Sequence, residues 1–196
     1  VESSRIYQAI QRLRAAHPDL PVHAVAGDSM ASGAYYIAAA ADRIHADGAS
    51  VVGSIGVISR GFGFSDAISR LGIERRVYAA GEAKDALDPF QPPDAQAETH
   101  LQTMLDDIHQ QFIAAVREGR GDRLAPSESE LFSGRIWTGR HGLELGLVDA
   151  LGSPESVAAD VIGAERRIDY TPQRRLLERV LERIGGAAAR VWMQMQ

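Results

Sequence analysis

The chain has 196 residues, 45% hydrophobic and 24% charged, with a formal net charge of −5. That length and balance suit one soluble globular domain with a proper core, and the acidic surplus leaves no basic footprint for nucleic acid. No run approaches the roughly 18 apolar residues of a membrane span, and the absence of cysteine excludes disulfides and thiol catalysis.

The opening, Val1 to Ala16, carries charge early and has no apolar core, so it is not a signal-peptide pattern. It lacks an initiator Met and starts in helical periodicity, which we read as the start of a piece of a longer protein. Ile6, Ile10 and Leu13 predict an amphipathic helix over 3–16. Residues 21–26 read as a short buried strand, 27–33 as a turn of small residues, and 34–41 as a helix. Strands are expected at 43–46 and 55–59, separated by a glycine-rich turn. A helix over 64–71 closes at Gly72, and 73–79 reads as a strand. Gly81, Pro89, Pro92 and Pro93 make 80–93 a loop.

Asp94 is placed to cap a long helix to about Arg117, with Leu101, Met104, Leu105, Ile108 and Phe112 on one face. The polar stretch 118–129 reads as an exposed connection. A strand over 135–138, a helix over 140–145 and a strand over 147–150 follow. The tail over 172–196 reads as one or two helices interrupted by Gly185 and Gly186. Its Leu177, Val180, Leu181, Ile184 and Trp192 favour packing against the domain or a neighbouring subunit over a membrane surface. Strands and helices alternate without an internal repeat, which predicts an α/β domain over 1–163 and a helical extension over 164–196.

Two positions carry chemistry. Ser32 stands between Ala31 and Gly33, after a strand and at the first turn of a helix. Small neighbours leave its hydroxyl open, and the free N–H groups of the helix start can face an oxyanion. Gly33 supplies the first such N–H. A helix-capping serine is the competing reading of the same turn. A serine nucleophile needs a base. None of the six histidines lies in a loop-like segment: His17 follows a helix, His23 and His45 lie in or near strands, His100 and His109 on the long helix, and His141 opens a short one. Lys84 is the one lysine; the other twenty basic side chains are arginines. Arginine stays protonated, whereas burial can lower a lysine from its ordinary value of about 10.4 by roughly 3–5 units. A lone lysine is then a candidate base, or an exposed side chain kept charged by nearby Glu82 and Asp85.

Three spaced segments add a resemblance. Ala31-Ser32-Gly33-Ala34-Tyr35-Tyr36-Ile37-Ala38, Ala41-Asp42-Arg43-Ile44 and Gly53-Ser54-Ile55-Gly56-Val57 are similar to the core of signal peptide peptidase A and its SohB relatives. Gly81-Glu82-Ala83-Lys84 resembles that family's lysine loop, with Lys84 at the family's spacing of 52 residues after the serine. Gly134-Arg135-Ile136-Trp137-Thr138-Gly139 and Gly146-Leu147-Val148-Asp149 resemble a further signature, so the likeness spans about 3–152.

The resemblance implies a Clp protease/crotonase-like fold, a spiral of strand–strand–helix units. It implies a serine endopeptidase with Ser32 as nucleophile, Lys84 as general base, Gly33 as oxyanion donor and Ser54 supporting the lysine. No cofactor and no metal are implied. Substrates would be signal-peptide remnants or other short unfolded peptides. The partners would be further copies of the chain, in a ring whose subunits share the dyad, with the parent anchored in a bacterial envelope membrane and its peptidase domain outside the cytoplasm.

Two departures stand out. Ala34 replaces the second glycine of the nucleophile motif. The family also carries a strand and a Ser-Pro-Gly-Gly turn, source of a second oxyanion donor, ahead of the helix that opens this sequence. Those residues are not among the 196, and losing one donor costs about 10²–10³ in rate in other hydrolases. The stretch given is therefore expected to be impaired by itself. A crotonase-like acyl-CoA enzyme and a catalytically decayed oligomeric scaffold remain alternatives at this point.

Overall fold

The computed structural model describes residues 1–171 apart from 82, 127 and 165. The chain divides into two units, Val1–Ile162 and Gly163–Gln196, and every element named here belongs to the first. The expected tail helices lie outside the described residues.

Helix α1 (Glu2–Ala16) leads to β1 (His23–Val25), β2 (Ser29–Ala31) and α2 (Gly33–Ala38). The same order returns as β3 (Arg43–Ala46), β4 (Val51–Gly53) and α3 (Ser65–Arg70). This repeat is the strand–strand–helix unit expected of the fold, and the α/β class holds. The long α4 (Ala95–Arg120) and short α5 (Glu128–Leu131) follow, then β5 (Ile136–Thr138), α6 (Gly139–Glu144), β6 (Ala150–Leu151) and α7 (Pro154–Ser156), which runs on into a π-helical turn over Val157–Val161.

First strands of successive units pair with first strands, and second with second. One sheet has the order β1-β3-β6, all parallel, and the other the order β2-β4-β5, with β5 antiparallel. Each strand is too short to hold a sheet alone, so burial does the work. The central strands β3 and β4 carry fully buried Ile44 and Val52, each stabilising by about 1.5–3 kcal/mol. Tyr35 sits in the same core and donates its hydroxyl to the Leu147 carbonyl at 2.8 Å. Burial raises its phenol above the ordinary tyrosine value. Tyr36 points the other way, edge-on to Tyr7 of α1 and against Phe112 of α4.

Beside β3 of the first sheet lies a buried charge cluster. Arg120, 1% exposed, grips Asp149 with two hydrogen bonds of 2.7 and 3.0 Å, and the Ile44 N–H donates to the same carboxylate at 2.6 Å. Arg123 adds a third cationic contact at 3.2 Å. Burial alone would push Asp149 up, but the Arg120 and Ile44 hydrogen bonds and both guanidinium charges outweigh it and bring it down to about 2.

Several local expectations are corrected. Residues 27–33 contain a strand, β2, and the second strand of the next unit is Val51–Gly53 rather than 55–59. Residues 73–79 form no strand, because no neighbour pairs with their backbone. Helix α4 runs to Arg120, so the start of the supposed exposed connection is helical, with Glu118 exposed and Arg120 buried. Its apolar face packs only from Phe112 onward, leaving Met104 and Ile108 exposed. The last strand is Ala150–Leu151, not 147–150, because Leu147 and Val148 turn inward through hydrogen bonds to Gly142.

Candidate active site

Parallel pairing of β2 with β4 sets Ala31 opposite Gly53. The next residues, Ser32 and Ser54, therefore leave adjacent strand ends side by side. The Ser32 N–H donates to the Gly53 carbonyl at 2.8 Å, and the Ser54 N–H to the Arg135 carbonyl at 2.7 Å.

Both serines have φ of 53°, the only positive values among the described non-glycine residues. Ser32, with ψ of −123°, sits at the helix-start position of α2, yet its side chain makes no capping hydrogen bond. A side chain in such a conformation costs about 1–3 kcal/mol and persists only where its surroundings impose it. Here the Gly53 carbonyl holds its N–H and the Tyr36 N–H donates to its carbonyl at 2.9 Å. A strained strand-to-helix turn is how a nucleophilic serine is thrust out of a sheet. Ser32 is exposed and its hydroxyl unengaged, so the capping reading left open by the sequence is not the one the geometry supports.

Gly33 opens α2 and is half-buried under α1; a Cβ there would stand 2.5 Å from the Ser3 hydroxyl oxygen. The departure at Ala34 is harmless by position, since Ala34 is exposed on the first turn.

Ser32 and Ser54 line one cavity of about 450 Å³. Val57, Ile58 and Arg60 continue its wall from Ser54; Gln102, Leu105, Asp106 and His109 face it from α4. Gly56 and Gly134 meet at its floor, where a Cβ on Gly56 would lie 2.9 Å from the Gly134 Cα. Gln102 and Asp106 escape sequence reading, and Leu105 and His109 are read there only as positions on the helix, because the helix was assigned by its apolar positions. The signal lay in the polar spacing of 102, 106 and 109, which repeats at one helical turn.

Lys84 is placed elsewhere. It lies in a turn where its N–H donates to the Gly81 carbonyl at 3.1 Å, its side chain is exposed, and it is not among the residues lining the Ser32 cavity. Within one chain the structure therefore brings Ser32, Gly33 and Ser54 together and leaves Lys84 apart. Among the described residues no group of three or more His, Asp or Glu side chains is arranged to hold a metal ion.

The model of peptidase family S49 matches residues 14–164. The chain is 31% identical over 167 residues to a putative signal peptide peptidase SppA from Enterococcus faecium, covering 85% of this chain and 47% of that protein. It is 44% identical over 186 residues to a Brucella melitensis protein described as the Na(+)/H(+) antiporter NhaA, covering 94% of this chain but 25% of that protein. It thus spans between a quarter and about half of these curated relatives. Among solved structures, the 1510-N membrane-bound stomatin-specific protease superposes with a TM-score of 0.42 at 15% identity, over 76% of this chain and 56% of that one. A putative enoyl-CoA hydratase/isomerase family protein from Hyphomonas neptunium gives 0.40 at 19% identity, over 80% and 41%.

Proposed function

The chain belongs to peptidase family S49, and from that premise we propose that it is the catalytic domain of a serine endopeptidase working through Ser32 and Lys84. Family membership decides for a peptidase over the acyl-CoA enzyme. The observation that carries the assignment of Ser32 is its strained, uncapped turn at the mouth of a cavity.

In this reading neutral Lys84 takes the Ser32 proton as Oγ attacks a peptide carbonyl. The Gly33 N–H receives the oxyanion. Collapse breaks the C–N bond, and the leaving amine takes the proton from Lys84. Lys84, neutral again, takes a proton from water as the water oxygen attacks the acyl ester, and gives that proton to Ser32 Oγ as the ester C–O bond breaks. Ser54 hydrogen-bonds the lysine nitrogen and fixes its rotamer. A second oxyanion donor comes from a glycine turn ahead of α1, a placement favoured by Ser3 lying against Gly33.

Lys84 can be a base only if its amine loses water. The segment that bears it is rich in exposed apolar side chains: Phe62 is 81% and Tyr78 93% exposed, with Ile58, Leu71, Ile73 and Leu87 beside them in sequence. We assign this arm to a second copy of the chain. Docking there covers the apolar surface, desolvates the amine and delivers Lys84 to the neighbour's Ser32. The assembly is a ring. Its substrates are short or unfolded apolar peptides, signal-peptide remnants among them, met by Val57, Ile58 and Leu105 in the cavity. The parent is anchored at the bacterial envelope membrane with this domain outside the cytoplasm; among the described residues no helix is long and apolar enough to cross a membrane.

A serine-reactive fluorophosphonate tests the nucleophile. The assembled full-length protein should be labelled at Ser32, and Ser32→Ala should abolish labelling. Undiminished labelling of Ser32→Ala would remove Ser32 from the role.

A further inference from the structure

Helix α4 crosses the cavity before it enters the core, and one polar contact ties it to the strand end that carries Ser54. His109 Nε2 lies 3.0 Å from the Ile55 carbonyl oxygen. Phe112, one turn later, is the first fully buried side chain of the helix. Strand β4 has ended at Gly53, so the Ile55 carbonyl has no ladder partner, and its own side chain is buried. A backbone carbonyl in such a place needs a donor.

The carbonyl can only accept, which fixes the proton on Nε2. The contact points the N–H at the backbone rather than at Ser32, which is the wrong arrangement for a base acting through Nε2.

The segment being held is a strained one. Ser54 has φ of 53°, is fixed from one side by its N–H to the Arg135 carbonyl at 2.7 Å, and turns tightly so that the Gly56 N–H donates to its carbonyl at 2.9 Å. The tie at Ile55 closes that turn from the opposite, α4 side. Without it the Ile55 peptide is free to rotate, and the residue held at positive φ before it gains by relaxing.

We propose that His109 is a positioning residue of this site, holding Ser54 in the cavity wall by donating Nε2–H to the Ile55 carbonyl. This rests on the serine-peptidase reading above. The role is donation, so another donor of similar reach replaces it.

The test uses the assembled full-length protein, a fluorogenic peptide and six variants. His109→Leu removes the donor and should lower kcat about tenfold with KM little changed, the size of one lost hydrogen bond. The His109→Gln amide reaches the same carbonyl and should restore kcat to within about threefold. Its activity should follow the wild-type pH profile. His109→Asn, polar but shorter, should behave like Leu, which keeps the comparison informative if the Leu variant fails to fold. In a Ser54→Ala background, His109→Leu should cost little more, because both act through one group. Wild-type kcat in Leu and Asn, a Gln variant as impaired as they are, or full additivity with Ser54→Ala would overturn the proposal. Ser32→Ala runs alongside: if hydrolysis survives there, the serine reading fails first, whereas a flat His109 series with a dead Ser32→Ala removes only His109.

Discussion

The two halves of the proposed dyad sit in regions built on opposite principles. Ser32 stands on a framework of two small sheets whose strand ends are locked by backbone hydrogen bonds and backed by the Arg120–Asp149 cluster. Lys84 stands on an arm, 58–93, without a strand, whose largest side chains face outward. The first region imposes a positive φ on Ser32 and Ser54 with backbone hydrogen bonds made inside one chain. The second has its own local ties, Phe64 packing on Phe90 with Arg75 over the Phe90 ring, but nothing that buries Lys84. A serine can be positioned by its own fold, while an amine that must be neutral has to be desolvated, which in the proposed assembly falls to a neighbour.

The sharpest way to expose the contrast is to remove each side chain. Ser32→Ala should lower peptide hydrolysis by about 10³-fold or more, and Lys84→Arg should be as inactive although the charge is kept. Both should melt as the wild type does, within about 0.5 kcal/mol, since neither side chain has a hydrogen-bond partner among the described residues. Activity retained in Lys84→Arg would remove lysine from the base role.

Damage to the framework should show in stability instead. Asp149→Ala leaves Arg120 buried and unpaired and should cost about 3–5 kcal/mol by chemical denaturation. The wild-type contribution of Asp149 has an acid limit. Its folded value is depressed from 3.8 to about 2, so the stabilisation is fully present above the ordinary carboxylate range and is lost as pH falls through that window. His45 adds a loss at milder acidity. It is 4% exposed, stacked on His23 with its Nε2 3.0 Å from the His23 Nδ1, and burial followed by the His23 charge depresses it below 6.5. The unfolded chain therefore binds the extra proton first, and stability should begin to fall as pH drops below about 6.5. A denaturation midpoint flat between pH 7 and 5 would contradict this.

The arm should respond least of all in the isolated chain. Phe62→Ser and Tyr78→Ser should change thermal stability by less than about 0.5 kcal/mol, yet make activity fall on dilution at concentrations where the wild type stays active. Unchanged dilution behaviour would detach the arm from assembly.

The sequence was readable where a residue pattern meets its own structural cause. Ile6, Ile10 and Leu13 marked α1, Asp94 does cap α4 by accepting from Gln96 and Ala97, and Gly72 at φ of 67° closes α3. The Tyr35-Tyr36 pair was visible as a motif, although only the structure shows that one ring seals the core and the other joins α1 to α4. Ser29 to Ala31 hid as a strand because three residues of mixed polarity carry no alternation; their partner β4 defines them. Ile73, Val77 and Tyr78 misled in the other direction, since β-forming residues need a paired edge, and that apolar surface is exposed instead. The strain at Ser32 was illegible because the same serine, in the same place, also fits an ordinary cap. His109 gave no signal beyond its place on the long helix, because its partner is a backbone carbonyl 54 positions away.

The central claim is that a working site draws Ser32 and Lys84 from different copies. Ser32→Ala and Lys84→Ala chains of the full-length protein, each inactive alone, can be co-assembled and assayed on a peptide substrate. Random mixing should restore roughly a quarter of wild-type activity, because that share of interfaces pairs an intact serine with an intact lysine. No recovery in mixed assemblies verified by mass would contradict the account.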